Sequence, residues 1–122
     1  MKEYIFLLNS PTNPLSEADA QQMRLQWGRL TTRLREEQKF VEGYIFSATG
    51  HTVNGSPERT VMPVIFVHNN IMASGCLIIR SNSMDEALKL AQLCPILDFG
   101  GTVEVRERMP QPQPQPLPVT IH

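Results

Sequence analysis

Few residues of this 122-residue chain have both the type and the neighbourhood for chemistry. Three histidines are present, and His68 is the strongest proton-transfer candidate, because an imidazole titrates near neutrality. A general base needs a group to orient it; by topology the nearest are Asp98 and Glu104, neither fixed by local spacing. His51 stands beside Gly50 in a polar stretch, and His122 is the last residue. For each of them a solvated loop side chain is the plainer account. Glu104 and Arg106 alternate with Val103 and Val105, so they share one face of a strand. There the guanidinium suits a ligand carboxylate, although a cross-strand ion pair uses the same geometry. Asp98-Phe99-Gly100 spells the kinase triplet with nothing kinase-like around it, and reads as a loop. No HExxH, paired CxxC, GxxxxGK[ST] or GxGxxG occurs, and the histidines have no metal-ligand spacing. Neither a metal nor a cofactor is expected.

The elements that must position these groups follow from hydrophobic patterning. Residues 4–8, Tyr-Ile-Phe-Leu-Leu, form an unbroken apolar run closed by Pro11 and Pro14, which is a buried strand. Ser16 stands three residues before Asp19, a helix start. Ala20, Met23, Trp27, Leu30 and Leu34 then recur at spacings of three and four, one face of a helix reaching about residue 39. Gly28 costs that helix about 1 kcal/mol against Ala, so a close approach by a neighbour is expected there. A second strand starts at Tyr44-Ile45-Phe46, after Gly43. Asn54-Gly55 marks a tight reversal within a polar stretch from 47 to 59. Residues 61–67 are apolar but contain Pro63, which points to an edge strand or a bulge. His68-Asn69-Asn70 reads as a break before a strong strand over 72–80. Ser83 with Glu86 is a capping box opening a second helix that Pro95 stops, and Gly100-Gly101 turn the chain into the alternating strand 102–108. The order is β-α-β-(hairpin)-β-α-β, which predicts an α+β, ferredoxin-like βαββαβ fold with an extra hairpin.

One domain, residues 1–109, accounts for the core, followed by a Pro/Gln-rich tail over 110–122. A net charge of −1 argues against a nucleic-acid glove or a polybasic membrane patch. With 41% hydrophobic and 19% charged residues, the composition is that of an ordinary globule. The two cysteines, Cys76 and Cys94, each sit in an apolar run and are expected to be reduced and buried. The first residues lack the 7–15 residue apolar stretch of a signal peptide, and nothing approaches ~18 apolar residues. The cytoplasm is the expected compartment, and Asn54-Gly55-Ser56, which matches the glycosylation sequon, is read as a turn.

Several strands are apolar on both faces: residues 4–8, 64–67 and 76–79. Such runs belong to a sheet covered on both sides, yet a βαββαβ unit places both helices on one. A second copy, sheet against sheet, would keep several hundred Å² of apolar surface from water. A homodimer is therefore expected.

The opening strand, Trp27-Gly28, Ser83-Met84-Asp85-Glu86-Ala87-Leu88, Cys94-Pro95 and Gly100-Gly101-Thr102-Val103-Glu104-Val105-Arg106 together resemble the YCII-related group. More narrowly they resemble its branch named for an Asp-Gly-Pro-Phe motif. The resemblance covers residues 1 to about 109 and is most specific from Gly75 to Arg106. It implies a dimeric α+β barrel and small-molecule chemistry. Counting back from Gly75, the motif falls at Pro63-Val64-Ile65-Phe66, where only Phe66 matches and Pro63 has no carboxylate to ionise. The first expectation is therefore a small-molecule-binding dimer without the family's acidic residue, its cleft lined by Trp27, Phe66 and Cys76 with Glu104 and Arg106 as polar groups. The alternative is an isomerase or lyase working through His68 with Asp98 or Glu104. A further one is an interaction module using the Pro/Gln tail.

Overall fold

The computed structural model describes residues 1–55 and 57–110. The Pro/Gln tail beyond Pro110 lies outside the described residues, and so does the role considered for it. Strand β1 (Lys2–Pro11) leads into helix α1 (Glu17–Glu36) and strand β2 (Phe40–Ile45). Three short strands follow, β3 (Thr52–Asn54), β4 (Thr60–Met62) and β5 (Val67–His68). The long strand β6 (Ile71–Ser81), helix α2 (Met84–Ala91), a 3₁₀ turn (Pro95–Phe99) and β7 (Thr102–Glu107) complete the order. The main sheet runs β2-β6-β1-β7, with β5 also paired to β6, and every pairing in it is antiparallel. The molecule is thus α+β, a mostly antiparallel sheet with two helices, as its element order predicts. No helix among the described residues is long and apolar enough to cross a membrane.

Period-two alternation decides what the sheet buries. Tyr4 and Phe6 of β1, Leu77 and Ile79 of β6 and, at the margin, Val103 and Val105 of β7 point to one side. There they meet Leu30 and Leu34 of α1, Ala87, Leu90 and Ala91 of α2, and Cys94 and Ile96. Both helices begin on serine caps: Ser16 Oγ accepts from the Asp19 N–H at 3.1 Å and Ser83 Oγ from the Glu86 N–H at 3.2 Å. Helix α1 stops at Glu36, three residues short of the expected end. Gln38 takes the left-handed conformation (φ 58°), and the N–H groups of Gln38 and Lys39 bond back to the carbonyls of Arg35 and Leu34. This is a Schellman closure without its usual glycine, which is why the sequence pattern ran past it.

Three further expectations change. Strand β2 begins at Phe40, with Gly43 inside it; its pairing with β6 compensates for a sequence too polar at Glu42-Gly43 to read as a strand. The apolar stretch 61–67 is no continuous buried strand, because Pro63 separates β4, paired only to β3, from the two-residue β5. Val64 and Phe66 in it are exposed. Asn69 and Asn70, both at positive φ (52° and 61°), form the two-residue turn joining β5 to β6. Finally, a methyl group added at Gly28 meets no atom within 4 Å, so no neighbour requires that glycine. Gly28→Ala is accordingly expected to stabilise the protein by about 0.5–1 kcal/mol, read as a higher urea midpoint at unchanged slope.

Candidate functional site

A mostly apolar cavity of about 460 Å³ lies between α1 and the helix-facing side of the sheet. Its origin is local. Leu30 and Leu34 seat α1 over the central strands. On the α1-facing side of the sheet beside it, β2 presents Gly43 and β6 presents Gly75 where other strands present large side chains. Added at Gly43, a Cβ would find Leu77 Cδ1 at 3.6 Å and the Phe40 ring at 3.7 Å, ordinary van der Waals contacts, so a side chain can be accommodated there. At Gly75 it would lie 2.5 Å from the Tyr44 carbonyl oxygen, so the strands approach too closely there for any side chain. Leu8 and Leu77 provide the apolar floor, and Met23, Trp27 and Thr31 of α1 the wall. Ile96 and Phe40 also line it.

Arg24, Trp27, Thr31 and Arg35 stand at successive spacings of three, four and four, so they share one side of the helix and place an arginine towards each end of the cavity. Arg35 is held by Phe40: its guanidinium carbon sits 4.5 Å from the ring centroid, a cation–π contact. The Thr31 hydroxyl donates to the Trp27 carbonyl at 2.9 Å, and the Ser10 hydroxyl donates to Ser74 Oγ at 2.6 Å. Ser74 in turn donates to the Leu8 carbonyl. These hydroxyl protons are occupied, which leaves the arginines and the Trp27 indole N–H as side-chain groups still able to donate.

Among the residues singled out from sequence, Trp27 borders this cavity; Cys76 is also in its lining, although its strand register places it with Leu7 on the side of the sheet away from the helices. Phe66 does not border it; it projects 79% exposed from the segment between β4 and β5. Glu104 and Arg106 lie on the opposite face of the sheet, where Arg106 Nε contacts Glu104 Oε2 at 2.5 Å and both remain well exposed. That is the ion-pair use of their spacing. His68 is exposed on β5 opposite Ile71, and Asp98 is exposed on the 3₁₀ turn. No hydrogen bond or ion pair joins them among the described residues, and neither borders the cavity. Arg24 and Arg35 were missed in the sequence because cations on a long helix are read as its solvated side. The signal was present in their spacing around Trp27. Among the described residues no group of three His, Cys, Asp or Glu side chains is placed to share a metal ion.

Both thiols are free. Burial pushes Cys94 up to about 12, and burial likewise raises the half-buried Cys76, with Glu42 adding to the effect. The thiolate is the reactive form, so Cys94 is roughly one part in ten thousand reactive at pH 8. Iodoacetamide followed by mass spectrometry should leave Cys94 unmodified in the native protein, label Cys76 slowly, and label both in denaturant. Equal native and denatured rates at Cys94 would mean that the core around it opens.

The sheet face away from the helices has a different character. Register places Ile5 and Leu7 of β1 beside Ile78 and Cys76 of β6, all of them half-buried although no helix covers them. Polar pairs flank this strip. The Tyr44 hydroxyl donates to Glu42 at 2.6 Å on one side, Glu104 meets Arg106 on the other, and Glu3 meets Arg80 and Arg108 at one end. Compared with known proteins, the chain matches no family model and no curated protein.

Proposed function

We propose that this protein is a small-molecule-binding homodimer of ferredoxin-like, YCII-related architecture, with one ligand site under α1 in each copy and the two sheets facing each other in a barrel-like core. The observation that carries the binding role is the 460 Å³ cavity itself: it is within the range of ligand pockets, mostly apolar, and supplied with few polar groups. The strand order β2-β6-β1-β7 supports the ferredoxin-like reading, since each βαβ unit of that fold leaves room for one strand between its own two. The strip of Ile5, Leu7, Cys76 and Ile78 framed by charged pairs supports the dimer, having the apolar centre and polar rim of a protein interface. Exposed Val53, Val61 and Phe66 in the excursion beyond β2 add apolar surface for the same partner copy. The resemblance in the C-terminal block points the same way.

Catalysis through His68 with Asp98 or Glu104 is the weaker reading, because no hydrogen bond or ion pair among the described residues couples His68 to either and none of the three borders the cavity.

The chain has a single tryptophan, and it lines the cavity, so its emission reports occupancy directly. Titration with 1-decanol, which is uncharged, should give a saturable change in Trp27 fluorescence. Gly43→Leu, which puts a side chain into the cavity, should remove that change while the circular dichroism stays native. At a hundred times its dissociation constant the alcohol should also add about 2.7 kcal/mol of stability. No saturable signal and no thermal shift would end the binding proposal.

A further inference from the structure

The charge of the cavity lining is all of one sign. Its lining includes Arg24 and Arg35 and not a single Asp, Glu or Lys, in a chain whose acidic residues outnumber its basic ones by 12 to 11. Nor are these arginines used elsewhere: among the described residues neither has a carboxylate within 4.0 Å, whereas Arg33, Arg80, Arg106 and Arg108 each do. Both arginines are exposed to water at the rim of an apolar volume, so an anion carrying an apolar body would meet a cation there without displacing an existing ion pair.

Resting on the small-molecule reading above, we infer that the cavity takes an elongated amphipathic carboxylate, with its apolar chain along Leu8, Trp27 and Leu77 and its carboxylate on Arg35. Eleven residues separate Arg24 from Arg35, about 16 Å of helix, so one compact head-group cannot bridge both. Arg35 is the better anchor. Phe40 stacks on one face of its guanidinium and restricts it, leaving the N–H edge free for a two-pronged contact with a carboxylate. At about 460 Å³, the cavity has room for roughly fifteen groups the size of a water at ~30 Å³ each, which suits a chain or fused-ring acid rather than a two- or three-carbon one. Arg24, towards the far end, raises the affinity for negative charge without fixing the head-group.

Decanoate and 1-decanol separate charge from apolar burial, and Trp27 emission reads both at pH 7.5. The wild-type chain should bind decanoate about tenfold more tightly than decanol, the scale of one charged hydrogen-bonded contact near solvent. Arg35→Gln should bring the two within about twofold of each other by weakening decanoate alone. Arg24→Gln should lower decanoate affinity by a smaller factor and keep the preference. Equal binding of acid and alcohol by the wild-type chain would overturn the anion assignment and leave the binding reading standing. Binding of neither ligand would remove both. A preference that survives Arg35→Gln and disappears in Arg24→Gln would overturn the placement of the head-group.

Discussion

Phe6→Ala should cost about 3–5 kcal/mol of stability, a large part of the 5–15 kcal/mol that holds a domain together. Phe6 is 1% exposed on β1, the strand with a long neighbour on either side, and it pairs across to Leu77 of β6 and Val105 of β7. Above it lie Leu30 and Leu34 of α1 within the same buried cluster. Truncation therefore removes apolar area at the one place where three strands and a helix converge, and close packing leaves few atoms free to collapse into the gap. Urea unfolding followed by circular dichroism should show a much lower midpoint with the slope unchanged. The melting temperature should drop by roughly 10 °C or more. A loss below about 1 kcal/mol would mean that the centre of the core lies elsewhere. Ile79→Ala, on the same side of β6 and fully buried, is the parallel test and should cost about 2–5 kcal/mol.

Ile78→Lys tests the other side of the sheet, and its expected effect is on association rather than folding. Ile78 sits between Ile5 of β1 and Glu42 of β2 on the face without helices. In a single copy an introduced ammonium there reaches water and has Glu42 opposite, so the monomer should keep its fold. Between two sheets the same charge would be desolvated, at a cost of about 3–5 kcal/mol. That corresponds to at least a hundredfold weaker dimer. Light scattering behind size-exclusion chromatography should give 27.6 kDa for the wild-type chain, twice the 13.8 kDa of one copy, and 13.8 kDa for the variant. A wild-type monomer at tens of micromolar would end the dimer proposal. A variant that stays dimeric would move the interface away from this face, towards the exposed apolar groups from Ile45 to Val67.

The two experiments are complementary, because successive residues of one strand serve different partners. Phe6 and Ile79 hold the helices, while Ile5 and Ile78, their neighbours in sequence, hold nothing within one copy. Substitutions one position apart should therefore separate stability from assembly. Should Ile78→Lys unfold the chain as Phe6→Ala does, the face would be part of the folding core rather than an interface.

Much of this architecture was determined by the sequence alone. The unbroken apolar run at Tyr4 to Leu8, the three- and four-residue spacing from Ala20 to Leu34, and the Ser83 cap with Glu86 each obey a local rule, and each element formed where that rule put it. Tertiary structure decided the rest, for physical reasons that no local pattern contains. Phe66 was expected to line the cleft and is instead exposed, on the segment between β4 and β5 that Pro63 separates from the strands before it. Glu104 and Arg106 share a face as the alternation required, but which face depends on β7 pairing with β1, a contact across nearly the whole chain. The cavity was least legible of all. It depends on Gly43 and Gly75 both facing α1, and irregularities in strand register at Phe40/Glu42 and Leu8/Asn9 displace the simple alternation that would have located them. A glycine in a sequence does not say whether it relieves a clash or leaves a space. Only the neighbouring strand and helix determine that, and here they made Gly75 a close contact, left Gly43 room for an ordinary one and left Gly28 facing open space.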